Sequence, residues 1–244
     1  VCFIDSFRIS KDQLFSTYII GESTGSFYLS SDFFDDDSEG EVFLPETGQN
    51  ILYSRMNALG QFRFYTKYKS FDRWTDETQV SGLETDGDLR YPFLQNDGVT
   101  IYYAATGSES MGGLDIFVSR YSTATGKYLK PENIGMPFNS QANDYLYVID
   151  EDNNLGWFAT DRRQPEDTVC VYVFIPNDHY PKYNYEDGDT LAIHRAARLA
   201  SISETQYALM SVRAARQRLT LLRYELAGKK EQGSFTYIID DVTT

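Results

Sequence analysis

Four oxygen-bearing side chains around residue 150 have the spacing of a cation loop. Asp150, Asp152 and Asn154 alternate, and Asp161 stands at the twelfth position counted from Asp150. Calcium takes about six to eight hard oxygen ligands, and a loop that presents them alternately can supply most of them. Leu155 occupies the place where such a loop turns sharply on glycine, and the corresponding turns elsewhere in the chain lack the ligand set. A solvated hairpin turn is therefore the stronger reading, with calcium on these four residues as the alternative. Gly21-Glu22-Ser23-Thr24-Gly25 matches the G-x-S-x-G nucleophile elbow, which needs a strand-to-helix turn and a histidine base. Strand-like sequence follows it, so a glycine-rich hairpin tip accounts for the segment. His179 and His194, the two histidines, have no Cys or His at ligand spacing, which argues against zinc. A pair of carboxylates for glycoside hydrolysis is a spatial pattern, and nothing singles out two of the 36 Asp and Glu. Asp88, Asp115 and Asp144 recur at repeat junctions and read as turn and loop hydrogen-bonding residues. No organic cofactor is expected.

The elements that must position these residues read mainly as strands. Nineteen Tyr and 16 Phe stand beside 2 Trp, a composition that suits pleated, half-buried surfaces. The net charge of −14 argues against a nucleic-acid partner. Residues 1–186 hold 14 basic and 29 acidic side chains, whereas residues 187–244 hold 8 and 7. That shift places a boundary between a β domain at 1–186 and a helical tail at 187–244. No stretch approaches the roughly 20 apolar residues of a membrane helix. Cys170 lies within the apolar run Val169–Ile175 and is expected as a buried free thiol, with Cys2 also unpaired.

Self-similarity is the strongest signal. Gly48-Gln49-Asn50-Ile51-Leu52-Tyr53-Ser54 corresponds to Gly98-Val99-Thr100-Ile101-Tyr102-Tyr103-Ala104, and less closely to Asn153-Asn154-Leu155-Gly156-Trp157-Phe158-Ala159. A second apolar run follows each: Phe62–Tyr68, Ile116–Tyr121 and Val169–Ile175. Looser outer elements come next at Trp74–Glu77 and Tyr128–Glu132. Periods of about 50 residues with several strands per unit indicate a propeller-like repeat array, with units near 41–90, 91–143 and 144–176. The fold class expected is mainly β, an array of about three to four blades with a C-terminal helical segment.

Residues 1–40 also read as strands, with Tyr18-Ile19-Ile20 and Ser26–Leu29 forming a hairpin around Gly21–Gly25. Asp32–Glu41 reads as a solvated acidic loop. In the tail, Asp189 is placed as the cap of a helix through Leu199, and Ser201-Ile202-Ser203-Glu204 fits a capping box. Ala208, Leu209, Val212, Ala215, Leu219, Leu222 and Leu226 then recur at helical spacing. A short strand is expected at Phe235–Ile239.

Residues 82–176 resemble the TolB-like, WD-repeat-like β-propeller proteins of the Gram-negative envelope. The matching residues are Asp88-Leu89-Arg90-Tyr91-Pro92-Phe93, Asn96–Ala104, Gly112-Gly113-Leu114-Asp115-Ile116-Phe117-Val118-Ser119, Pro131-Glu132-Asn133-Ile134-Gly135 and Pro137-Phe138-Asn139-Ser140. The match covers about two and a half units, fewer than a closed propeller needs. The resemblance implies a periplasmic or cell-surface location and a binding role, and it brings no active site to carry over. The expected function is a non-enzymatic binding or scaffolding module that meets an envelope protein or glycan. A carbohydrate-active hydrolase and a purely structural subunit of a larger envelope complex are the alternatives.

Overall fold

The computed structural model describes residues 1–176, 198, 199, 201–206 and 209–232. It is mainly β, with antiparallel sheets and one long helix towards the C-terminus. The first strand, β1 (Cys2–Ser10), leads into a short helix α1 (Leu14–Thr17). The first sheet joins β2 (Ser26–Leu29), β3 (Glu41–Leu44), β4 (Asn50–Met56), β5 (Phe62–Ser70) and β6 (Arg73–Trp74) in that order, with β7 (Thr78–Gln79) also on β5. The second contains β8 (Leu89–Leu94), β9 (Thr100–Ala105), β10 (Asp115–Ser122) and β11 (Lys127–Tyr128), with β12 (Glu132–Asn133) on β10. The third contains β13 (Asp144–Asp150), β14 (Leu155–Thr160) and β15 (Thr168–Ile175), and β1 returns to complete it in the order β1-β15-β14-β13.

The repeated segments fall on β4, β9 and β14, the middle strands of three up-down-up meanders. Local turn chemistry sets each meander. The amide of Gly48 donates to Pro45 O at 2.9 Å and that of Gly98 to Gln95 O at 2.9 Å, while Asn154 donates to Glu151 O at 3.1 Å. These three residues have φ of 61°, 69° and 47°, the left-handed region that Gly and then Asn adopt at least cost. The third turn is thus shifted one residue from the sequence repeat, which places Asn153 at that position.

Adjacent sheets meet through aromatic side chains. β8 contacts β3, β4 and β5, and β13 contacts β8, β9 and β10. Phe43 meets Phe93 at 5.3 Å, Phe64 meets Tyr103 at 5.4 Å, and Tyr102 meets Tyr147 at 4.7 Å between ring centroids. Edge-on and tilted geometries predominate in these contacts, and such pairs add to the burial energy of large rings. The Tyr and Phe content is spent here.

Several expectations are corrected. Tyr18–Ile20 is not a strand: β2 pairs with β3, and Glu22–Thr24 forms a single 3-10 turn. Tyr18 instead crosses to the third sheet, its hydroxyl donating to Leu146 O at 2.7 Å. The acidic segment is only partly solvated, because Ser30–Phe34 forms a short helix α2 whose Phe34 ring packs on Tyr53 at 5.2 Å. Glu41 is buried and accepts from Ser54 Oγ, from the Tyr91 amide and from the Arg90 guanidinium.

The tail packs on the body. Helix α3 (Leu209–Gln232) buries Val212, Ala215, Leu219 and Leu222 in the same core as β13–β15. Leu209 departs from the expected stripe and is 72% exposed. Ser201 caps the 3-10 turn Ile202–Thr205, accepting from the Ser203 amide, and not the long helix. The expected elements at 189–197 and Phe235–Ile239, Ala208 and the 186/187 boundary lie outside the described residues. Edge strand β1 carries an irregularity between Phe3 and Asp5, and the tail satisfies its free backbone groups. The Phe3 amide donates to Thr205 Oγ1 at 3.0 Å, Gln206 Nε2 donates to Phe3 O at 2.8 Å, and Arg216 Nε donates to Ile4 O at 2.9 Å. An open edge would otherwise offer those groups to another chain.

Both cysteines are buried and free. They lie on paired strands, but Cys2 faces Ile175 while Cys170 faces Arg8. Six residues of strand separate them, roughly 20 Å, far beyond the reach of a disulfide. Mass spectrometry without reductant is expected to find two free thiols, and an intact Cys2–Cys170 bridge would contradict this register.

Candidate functional site

The four oxygen-bearing residues near position 150 do not converge. Asp150 is fully buried at one end of the β13–β14 hairpin; its carboxylate accepts from the Gly21 amide at 2.7 Å and from Asn153 N and Nδ2 at 3.0 and 2.8 Å. It therefore ties the N-terminal crossing segment to the third sheet. Asp152 is exposed, and Asn154 supplies the left-handed turn residue. Asp161 follows the far end of β14, six residues away or roughly 20 Å. There it accepts from the Asn143 amide at 2.8 Å, from Asn143 Nδ2 at 2.8 Å and from the Tyr145 hydroxyl at 2.6 Å. Burial works to raise the Asp161 carboxyl, but these donors together hold it below its ordinary range. Among the described residues no group of three or more His, Cys, Asp or Glu could hold a metal ion. The melting temperature is expected to stay the same with calcium or with chelator, and a rise of several degrees on adding calcium would reveal a native-state site.

The G-x-S-x-G segment has no strand-to-helix geometry. Ser23 sits inside the 3-10 turn and β2 follows it. Gly25 has φ of +100°, and a Cβ there would stand 2.6 Å from Leu44 O. The second glycine thus serves close backbone packing against β3. His179 and His194 lie outside the described residues.

The junction carboxylates share one kind of work. Asp88 accepts from the Phe62 amide at 2.9 Å, Asp115 from Met111 at 2.7 Å and Asp144 from Ser140 at 2.7 Å. Asp144 also pairs with Arg162 at 2.7 Å, a buried ion pair in which Arg162 further donates to Pro137 O and Phe138 O. Each carboxylate fixes backbone where one strand or sheet gives way to the next.

Two of the surface hollows differ in charge. One, of about 500 Å³, lies between α1 and the acidic segment and is lined by Asp12, Asp36, Asp37, Glu39 and the Glu41–Arg90 pair. The other, of about 710 Å³, opens on the β1–β15 side of the third sheet and is of opposite character. The register sets Ser6 opposite Tyr172 and Arg8 opposite Cys170, so cross-strand pairing and the two-residue strand period put all four on one face. The turn after β14 brings Arg163 and Gln164 to the rim, and Leu199, Ser201 and Ile202 form the opposite wall. Arg163 is at φ +57° and its Nη2 donates to Leu199 O at 2.8 Å, joining the two walls. Burial pushes the Cys170 thiol up, against the Tyr172 hydroxyl and the charges of Arg8, Arg162 and Arg163. The thiol therefore stays protonated and is not a thiolate nucleophile.

Sequence reasoning did not find this cleft. Its residues come from positions 6–8, 163–172 and 199–202, and no motif joins them. Only the alternation of polar and apolar residues in Ser6-Phe7-Arg8-Ile9-Ser10 could have marked one wall. Comparison of the chain with protein-family models, with curated proteins and with solved structures finds no match.

Proposed function

We propose that the chain is a non-enzymatic binding or scaffolding module of the bacterial envelope, built as a propeller-type array, which meets a protein or glycan partner through its surface hollows. The observation that carries the non-enzymatic part is the state of the carboxylates. Asp88, Asp115, Asp144, Asp150 and Asp161 each accept a backbone amide at 2.7–2.9 Å. Carboxylates held in this way fix turns and strand ends, which supports a structural role for them.

The array reading is supported by three meanders in series and by the return of β1 to the third sheet, which ties the start of the chain to the last repeat. The segment that follows β1 lays Leu14, Phe15 and Tyr18 against the neighbouring sheets, with Phe15 at 5.9 Å from Phe27 and 6.1 Å from Tyr91. The envelope location rests on the resemblance of residues 82–176 to TolB-like proteins. A broad glycan array run beside a hydrolysis screen, together with affinity copurification from envelope extracts, tests the reading. Binding without turnover is expected; turnover of any bound glycan would favour the hydrolase instead.

A further inference from the structure

We infer that the cleft between β1, β15 and the Arg163–Gln164 turn is a binding site for an acidic saccharide, one that carries a carboxylate beside free hydroxyls. The inference narrows the glycan half of the proposed function and rests on it. Charge is the first argument. The chain carries a net charge of −14, yet among the described residues the cleft is lined by two arginines and by no Asp or Glu. Arg8 is exposed on a regular strand and has no ion-pair partner among the described residues. Arg163 uses one nitrogen on Leu199 O, which fixes its direction, and has no ion-pair partner among the described residues. Nearby Arg162 is committed to Asp144 and is not available for contact. A planar guanidinium matches a carboxylate with two parallel hydrogen bonds, and two of them at one rim select an anion.

The second argument is the kind of polar group that accompanies the arginines. Gln164 lines the cleft with its Nε2 committed to Arg162 O at 3.1 Å, while its buried Oε1 has no partner. A buried acceptor without a donor is costly, and a small rotation of the amide would offer it to a ligand hydroxyl. A bare anion such as phosphate offers far less in that respect. Ser6 adds an exposed hydroxyl on one wall, and Ser201, whose Oγ meets Ser203 Oγ at 2.7 Å, adds one on the other. The volume of about 710 Å³ lies within the usual range for small-ligand sites and is sufficient for a short oligosaccharide.

Isothermal titration of the full chain distinguishes these chemistries. The probes are a trimer of galacturonic acid, the neutral galactose trimer and inorganic phosphate, each at low ionic strength. The acidic trimer is expected to bind at least about tenfold more tightly than either of the others, because each charge-assisted pair contributes about that factor or more. R8Q is expected to weaken it about tenfold, and R8E further, while R223Q, which removes only the exposed pair with Asp5 at 3.1 Å, leaves it unchanged. The Arg8 side chain makes no hydrogen bond or ion pair among the described residues, so its loss is expected to leave the fold intact, and the melting temperature of each variant checks this. Equal affinity for the neutral trimer, tighter binding of phosphate, or indifference to R8E would each overturn the assignment while leaving the binding module standing. Absence of any binding of the acidic trimer would do the same if the glycan array or copurification still yields a partner. Hydrolysis of the trimer would instead overturn the non-enzymatic reading.

Discussion

Leu219→Asp will lower the unfolding free energy by about 2 kcal/mol or more, and Leu222→Asp by a similar amount, since each removes buried apolar surface and adds a desolvated charge. Both leucines are nearly inaccessible on α3 and pack in the core shared with β13, β14 and β15. An isolated amphipathic helix has little stability of its own, so the buried stripe is what holds the tail on the body. The same helix supplies Arg216 to Ile4 O and Arg218 to Asn153 O at 2.7 Å, so loosening it also uncovers the edge of β1. Leu221→Asp is the control, because Leu221 points away at 62% exposure. Denaturant titration followed by circular dichroism reads all three. A stripe variant as stable as the parent would show that the helix is not anchored through Leu219 and Leu222.

The second large effect concerns the ion pair at the base of the third sheet. Asp144→Asn is expected to cost about 3–5 kcal/mol, because it leaves the Arg162 charge buried and without its counter-ion. Asp144 is fully inaccessible and Arg162 nearly so. Burial pushes the Asp144 carboxyl up, opposed by Arg162 and by hydrogen bonds from Thr160 and Ser140. A pair balanced in this way is worth little compared with well-packed apolar residues, yet severing it is expensive. Asp144→Asn combined with Arg162→Met should therefore recover much of the loss, and a double-mutant cycle measures the coupling. Equal stability of the single variant and the parent would mean that the arginine finds other compensation. The double variant removes one charge of each sign near the arginine cleft, so binding of the acidic trimer is expected to stay close to that of the parent.

What the sequence determined by itself was set by interactions close along the chain. The middle strands β4, β9 and β14 were legible because each begins at a turn whose Gly or Asn accepts a positive φ, and each then runs into apolar residues. The apolar spacing of the tail was legible for the same reason, since a helix face is defined by residues three and four apart. Leu209 fits the periodicity of the stripe, but a helical period does not say how much of the face is covered, and Leu209 is left exposed. The roles of Asp150 and Asp161 depended on tertiary structure. Their spacing suits a cation loop only if the segment between them stays a loop, and pairing with β13 and β15 makes it a strand that holds them apart. The partner of β1 was hidden for a related reason. Antiparallel pairing can match many apolar strands, and the choice of β15, more than 150 residues away, is made by packing and by the tail that covers the free edge. The arginine cleft exists only through that choice. Arg8 and Cys170 become neighbours when β1 joins the third sheet, and no local pattern in the chain encodes a contact between them.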